Sequence, residues 1–125
     1  MTNRLALSKT LMRTFAAAAT VALAITVSAA SVIAPPSLTL TLKDHRFTPA
    51  TLTVPVGTRV RITLINRDLA TEEFDSHDLR LEQLVTPMGK VSFEIGPLHA
   101  GQYSFMGEFH ASTAQGKVIA VAAGR

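Results

Sequence analysis

The sequence contains no cysteine. No disulfide can staple the fold, so its core must suffice. No thiolate is available either, which excludes zinc–thiolate sites, iron–sulfur clusters and cysteine nucleophiles together. Long apolar runs are equally scarce. The one that exists, Phe15 to Val27, is thirteen residues, short of the roughly 20 that a membrane-spanning helix needs. There is no glycine-rich phosphate loop and no Gly-x-Ser-x-Gly elbow. Ser76, His77 and Asp78 are consecutive, which is poor geometry for a triad assembled across a fold.

An excess of positive charge is only nominally present. The chain carries 12 Lys plus Arg against 9 Asp plus Glu. Three of the cations, Arg4, Lys9 and Arg13, precede the apolar run, and small residues at Ser28, Ala29, Ala30 and Ser31 follow it. That order is the one a secretory signal peptide shows, so residues 1–30 are expected to be a leader and the protein to be exported, to a periplasm. An uncleaved amphipathic anchor is the plainer alternative. Without the leader the remaining charges balance, and no basic stripe with interleaved aromatics is left to bind nucleic acid. After a short segment at 31–37, one domain is expected over 38–123, enough for a single small core.

That domain reads as strands throughout. Leu38, Leu40 and Leu42 alternate with polar residues, and so do Val60, Ile62 and Leu64. The same period of two runs through Lys90–Ile95 and Gly101–Met106, and shorter apolar segments lie at 51–54, 78–85 and 117–122. Proline or glycine punctuates most joins, as at Pro49, Gly57, Pro87 and Gly96. The pattern predicts an all-β, Greek-key sandwich of seven to eight strands. Its buried set is expected to include Leu38, Leu40, Val60, Ile62, Leu64, Leu79, Leu81, Phe93, Tyr103, Phe105 and Val121. Two segments break the rhythm: 66–77, read as a polar, acidic loop, and 107–115, a loop before the last strand. Function tends to sit on such loops.

The stretch GQYSFMGEFHASTAQGKVIAV, Gly101 to Val121, resembles the end of the cupredoxin family. There a Gly-x-Tyr-x-Phe strand leads to a loop with Cys, His and Met copper ligands, and then to the final strand. On that pattern His110 takes the histidine position, Gly107 falls where the Cys would be, and Ala114 lies near the Met. An Asn after a strand, followed by a ligand histidine, is matched loosely by Asn66 and the segment to His77. Blue copper depends on a copper–thiolate bond, so plastocyanin-like electron transfer is excluded. The strings TEEFDSHDLRLEQ (71–83), IGPLHAGQYSF (95–105) and GEFHASTAQG (107–116) further resemble cupredoxin-like domains tied to bacterial ferrous-iron uptake, the EfeO type among them.

That resemblance implies an iron or copper ion as cofactor, and a ferrous-iron permease or periplasmic iron-transport protein as partner. It places Glu73 and Glu108-Phe109-His110 where copper ligands otherwise stand. Glu73, Glu108 and His110 are therefore the expected ligands, with Asp75, His77, His45 or Met106 completing the shell. Carboxylate with imidazole suits iron, Cu(II) or Zn(II). Glu108 lies two residues before His110, and in extended backbone both would face one side. Each residue also has a plainer reading. Glu72, Glu73 and Asp75 can form an exposed acidic loop, and His110 can be satisfied by a carbonyl. His45 reads first as a surface residue, His99 as structural or exposed, and Met106 as edge filler. No second redox centre is evident, so binding or delivery ranks above ferroxidase catalysis, and a monomer or weak dimer is expected. A metal-free interaction module and a His/Met copper carrier are the competing functions.

Overall fold

Alternation of apolar and polar residues builds nine strands in the computed structural model, which describes residues 19–123. They are β1 (Ser37–Lys43), β2 (Arg46–Thr48), β3 (Thr51–Pro55), β4 (Val60–Asn66), β5 (Glu72–Ser76), β6 (Leu81–Val85), β7 (Lys90–Ile95), β8 (Gly101–Gly107) and β9 (Gln115–Val121). One 3₁₀ turn, Glu108–His110, lies between β8 and β9. Residues 19–36 carry no helix or strand. No helix among the described residues is long and apolar enough to cross a membrane. The leader expected over residues 1–30 lies in large part outside the described residues.

The strands form two sheets, ordered β2-β1-β4-β7 and β3-β9-β8-β5-β6. β1 runs parallel to β4 and β3 parallel to β9, and the other pairs are antiparallel. This is the expected all-β sandwich. It has two strands more than the sequence segments counted. β2 is only three residues, too short to show a period. β5 replaces part of the expected acidic loop, hidden because acidic residues are poor strand formers and two of its three inward positions are polar.

Leu40, Leu42, Val54, Val60, Ile62, Leu64 and Val118 fill the interior between the sheets. Four phenylalanines knit the two layers. Phe74 lies with its ring centroid 4.8 Å from that of Phe105 and 4.9 Å from that of Phe93, and Phe47 stands edge-on to Phe105 at 5.3 Å. Burying each such ring stabilises the fold by about 2–3 kcal/mol. Phe74 also sets the parity of β5. With its ring inside, Glu72 and Ser76 must face inward and Glu73 and Asp75 outward.

Of the expected core, Leu40, Val60, Ile62, Leu64, Phe93 and Phe105 are buried, while Leu38, Leu79, Leu81 and Tyr103 are half-buried. Val121 is the correction, since it is 42 % exposed. β9 turns Val118 and Ala120 inward, so the odd-numbered Val121 faces out.

Candidate metal centre

Three segments far apart in the chain meet at one end of the sandwich: the β1–β2 turn, the start of β5 and the 3₁₀ turn after β8. They bring one ligand atom each from His45, Glu72 and His110 within 4.8 Å of one another.

Glu72 is the centre of the arrangement. Its side chain is only 1 % exposed, a costly place for a carboxylate unless it is compensated. Oε1 accepts the backbone N–H groups of Glu73 at 3.0 Å and Phe109 at 2.9 Å. Oε2 lies 2.6 Å from His110 Nδ1. Room for the carboxylate comes from the facing strand, where Phe74 of β5 pairs with Gly107 of β8. A Cβ on Gly107 would stand 2.7 Å from Glu72 Cδ, 2.9 Å from Oε2 and 2.8 Å from the Ala114 Cβ. Ala114 itself is fully buried. Closure of the loop by Gly107 N–H to Ala114 C=O (2.8 Å) and Ala114 N–H to His110 C=O (2.9 Å) holds the imidazole in place.

His45 arrives by a different device. Lys43 of β1 pairs with Arg46 of β2, which leaves a two-residue hairpin of Asp44 and His45. Both are in the left-handed region, at φ 50° and 54°. A tight hairpin with matched twist demands that conformation, usually of Asn-Gly. Asp68 holds it here. Its Oδ1 accepts the Asp44 N–H at 2.8 Å and its Oδ2 the His45 N–H at 2.9 Å. Asp68 is in turn fixed by its own N–H to Asn66 Oδ1 (2.9 Å), and the Asn66 amide donates to the carbonyls of Ala70 and Thr86. Burial pushes the Asp68 carboxyl up. The His45 and Asp44 amides, with electrostatic attraction from His45 and Lys43, outweigh burial and hold it below the usual carboxylate range.

The His45 ring stacks on the His110 ring, with centroids 3.6 Å apart and planes 9° from parallel. Its Nδ1 is buried, 3.5 Å from Asp68 Oδ2, and has no hydrogen-bond partner. Residues held in sparsely populated backbone conformations cluster at functional sites, and an orphaned buried nitrogen calls for an explanation. Two imidazoles and a buried carboxylate form a donor set that fits a transition-metal ion. Held there, an ion would take the place of unsatisfied or proton-shared contacts.

Of the expected ligands, the structure brings His110 and His45 together and leaves the others outside the cluster. Glu73 and Asp75 are half-buried on the opposite face of β5, where Asp75 pairs with Met106 and Glu82. Met106 is on the outward side of β8, between the inward Phe105 and Gly107. His77 is exposed just beyond β5. Glu108 is exposed too, because 108–110 is a 3₁₀ turn. With three residues per turn, positions two apart diverge, so the extended-chain argument for Glu108 does not apply. The residues the sequence reading passed over are Glu72 and Asp68. The signal for Glu72 was its spacing of two from Phe74, which puts both on one face when the segment is extended.

Comparison with known proteins bears on the fold. A family model described as a cupredoxin-like domain matches residues 15–120. An uncharacterised protein of Rickettsia prowazekii is 42 % identical over 80 residues, which cover 64 % of each chain, so this chain spans about two-thirds of that relative's length at most. Auracyanin A, a blue copper protein of Chloroflexus aurantiacus, is similar in structure with a TM-score of 0.61 and 16 % identity. The match covers 70 % of this chain and all of that one. The metal-binding domain of the Streptococcus pneumoniae Cu(I)-exporting P-type ATPase CopA, solved with Cu(I), gives a TM-score of 0.59 and 13 % identity over 68 % and 84 % of the two chains. With the family model spanning most of its length and the two-sheet fold on view, this chain belongs to the cupredoxin-like domain family.

Proposed function

We propose that this protein is an exported, periplasmic metal-binding protein that holds one iron or copper ion at His45, Glu72 and His110. It serves ferrous-iron uptake beside a permease or a periplasmic iron-transport protein, by binding and delivering the ion. The observation that carries the metal reading is the buried Glu72 carboxylate beside two mutually stacked imidazoles, one of them with an unpartnered nitrogen. Copper is supported by the solved relatives, whose names record copper. Iron is supported by the carboxylate donor and by the resemblance of segments 71–83 and 107–116 to iron-uptake domains. The bound ion would supply a Lewis-acidic or redox centre. The chain supplies two neutral imidazoles, one negative charge and a rigid frame from three segments.

Titration of the purified protein with Cu(II), Fe(II) and Fe(III), followed by calorimetry and visible absorption, tests this reading. One equivalent should bind, and the Cu(II) form should lack the intense charge-transfer band of a copper–thiolate. Affinity should fall as pH drops and the imidazoles protonate. No binding of any of the three ions would overturn the proposal, and an intensely blue Cu(II) form would contradict the donor set.

A further inference from the structure

Gly107 of β8 lies across the sheet from the Glu72 carboxylate, and the space a side chain at 107 would need is already taken. Its hypothetical Cβ meets the Glu72 carboxylate at 2.7 Å (Cδ) and 2.9 Å (Oε2). At these distances no real Cβ coexists with the carboxylate in its present position. Glu72 comes from a different strand yet fills the volume of a residue-107 side chain, facing the same imidazole.

No soft donor is supplied by β8 or the loop after it. Ala114 is buried and offers a methyl group, and Met106 is on the outward side of β8.

We propose that Gly107 and Glu72 together form the selectivity device of the ion site. The missing side chain at 107 admits a hard, charged oxygen donor in place of a soft one, so the site favours Cu(II) or Fe(III) over Cu(I). This inference rests on the reading of His45, Glu72 and His110 as an ion site. A buried negative charge attracts an ion in proportion to that ion's charge. Cu(I) draws its affinity from thiolate and thioether ligands instead, and neither is part of the His45, Glu72 and His110 cluster. By the same geometry a thiolate at 107 would take the place of the carboxylate once Glu72 is truncated and the Ala114 methyl, 2.8 Å from a Cβ there, gives way.

Three variants test the device against the parent, with Cu(II) and Cu(I) affinities measured by competition with chromophoric chelators, the latter without oxygen. Glu72→Gln keeps the volume and removes the charge, and the Cu(II)-to-Cu(I) affinity ratio should fall at least tenfold. Gly107→Ala should weaken Cu(II) at least tenfold by displacing the carboxylate, with far-UV circular dichroism checking the fold. Glu72→Ala combined with Gly107→Cys should bind Cu(II) with an intense visible band that the parent lacks. A ratio within twofold of the parent in Glu72→Gln would overturn the inference even if Gly107→Ala fails to fold, as would a double variant that binds Cu(II) without the band. If the parent binds no ion, the ion-site reading falls and takes this inference with it.

Discussion

The two faces of β5 carry the same chemistry to opposite ends. Glu73 and Asp75 point outward, half-buried, and share the outer surface with Glu82. Glu72, one residue away, is sealed inside against His110 and two backbone amides. Composition does not distinguish these acids; parity does, and parity is set by Phe74. A carboxylate in water interacts weakly with its neighbours. The same group out of water must be compensated by hydrogen bonds, a proton or a cation.

The sharpest way to break this comparison is to truncate each face in turn. Glu72→Ala should weaken Cu(II) binding by well over tenfold, and Glu73→Ala by less than twofold, in parallel calorimetric titrations. Equal losses would move the site to the outer face. His110→Ala and His45→Ala should each resemble Glu72→Ala.

Next in size is the support beneath His45. Asp68→Ala removes a carboxylate that accepts two amide N–H groups. Hydrogen bonds to a charged group contribute about 1.5–3 kcal/mol, so urea unfolding of the metal-free variant should show a loss of about 3 kcal/mol. A loss below about 1 kcal/mol would show that the hairpin holds its shape unaided.

Smaller, and opposite in sign, is the expected effect of His45→Gly. Glycine adopts the left-handed backbone at no steric cost, and the relief is worth about 1 kcal/mol. The metal-free variant should unfold at a slightly higher urea concentration while losing more than tenfold in ion affinity. Stability lost together with affinity would mean that the stacked imidazoles contribute more than the strain costs.

The smallest effect concerns pH. Because the folded Asp68 carboxyl lies below its unfolded value, its contribution is fully present above about pH 4 and is lost as pH falls through the folded value. Metal-free stability should therefore decline at acid pH in the parent, and decline less in Asp68→Asn. Identical acid profiles would remove Asp68 from this role.

Much of the sandwich was legible from the sequence because Leu40, Val60, Ile62, Leu64, Phe93 and Phe105 follow a period of two between turn residues. The site was legible only in part. His110 stood out by its place before the last strand, while His45 read as a surface residue because nothing in Lys43-Asp44-His45-Arg46 announces a left-handed turn. That conformation depends on Asp68, more than twenty residues away. Glu72 was hidden for a related reason. An acidic run looks like a loop until one knows that Phe74 is inside and that Gly107, across the sheet, leaves a hole.

The distances along the chain between the three donors have a consequence for the folding of a protein without disulfides. Glu72 and His110 are 38 residues apart, and His45 belongs to a third segment. An ion joining them closes long loops, and cross-linking a loop of that size restricts the unfolded chain by about 4 kcal/mol in the chain-entropy picture. The cation would then be the staple that this cysteine-free chain otherwise lacks. Resistance to heat and proteolysis would follow metal supply, so a starved cell would hold a more perishable copy of the protein than a replete one.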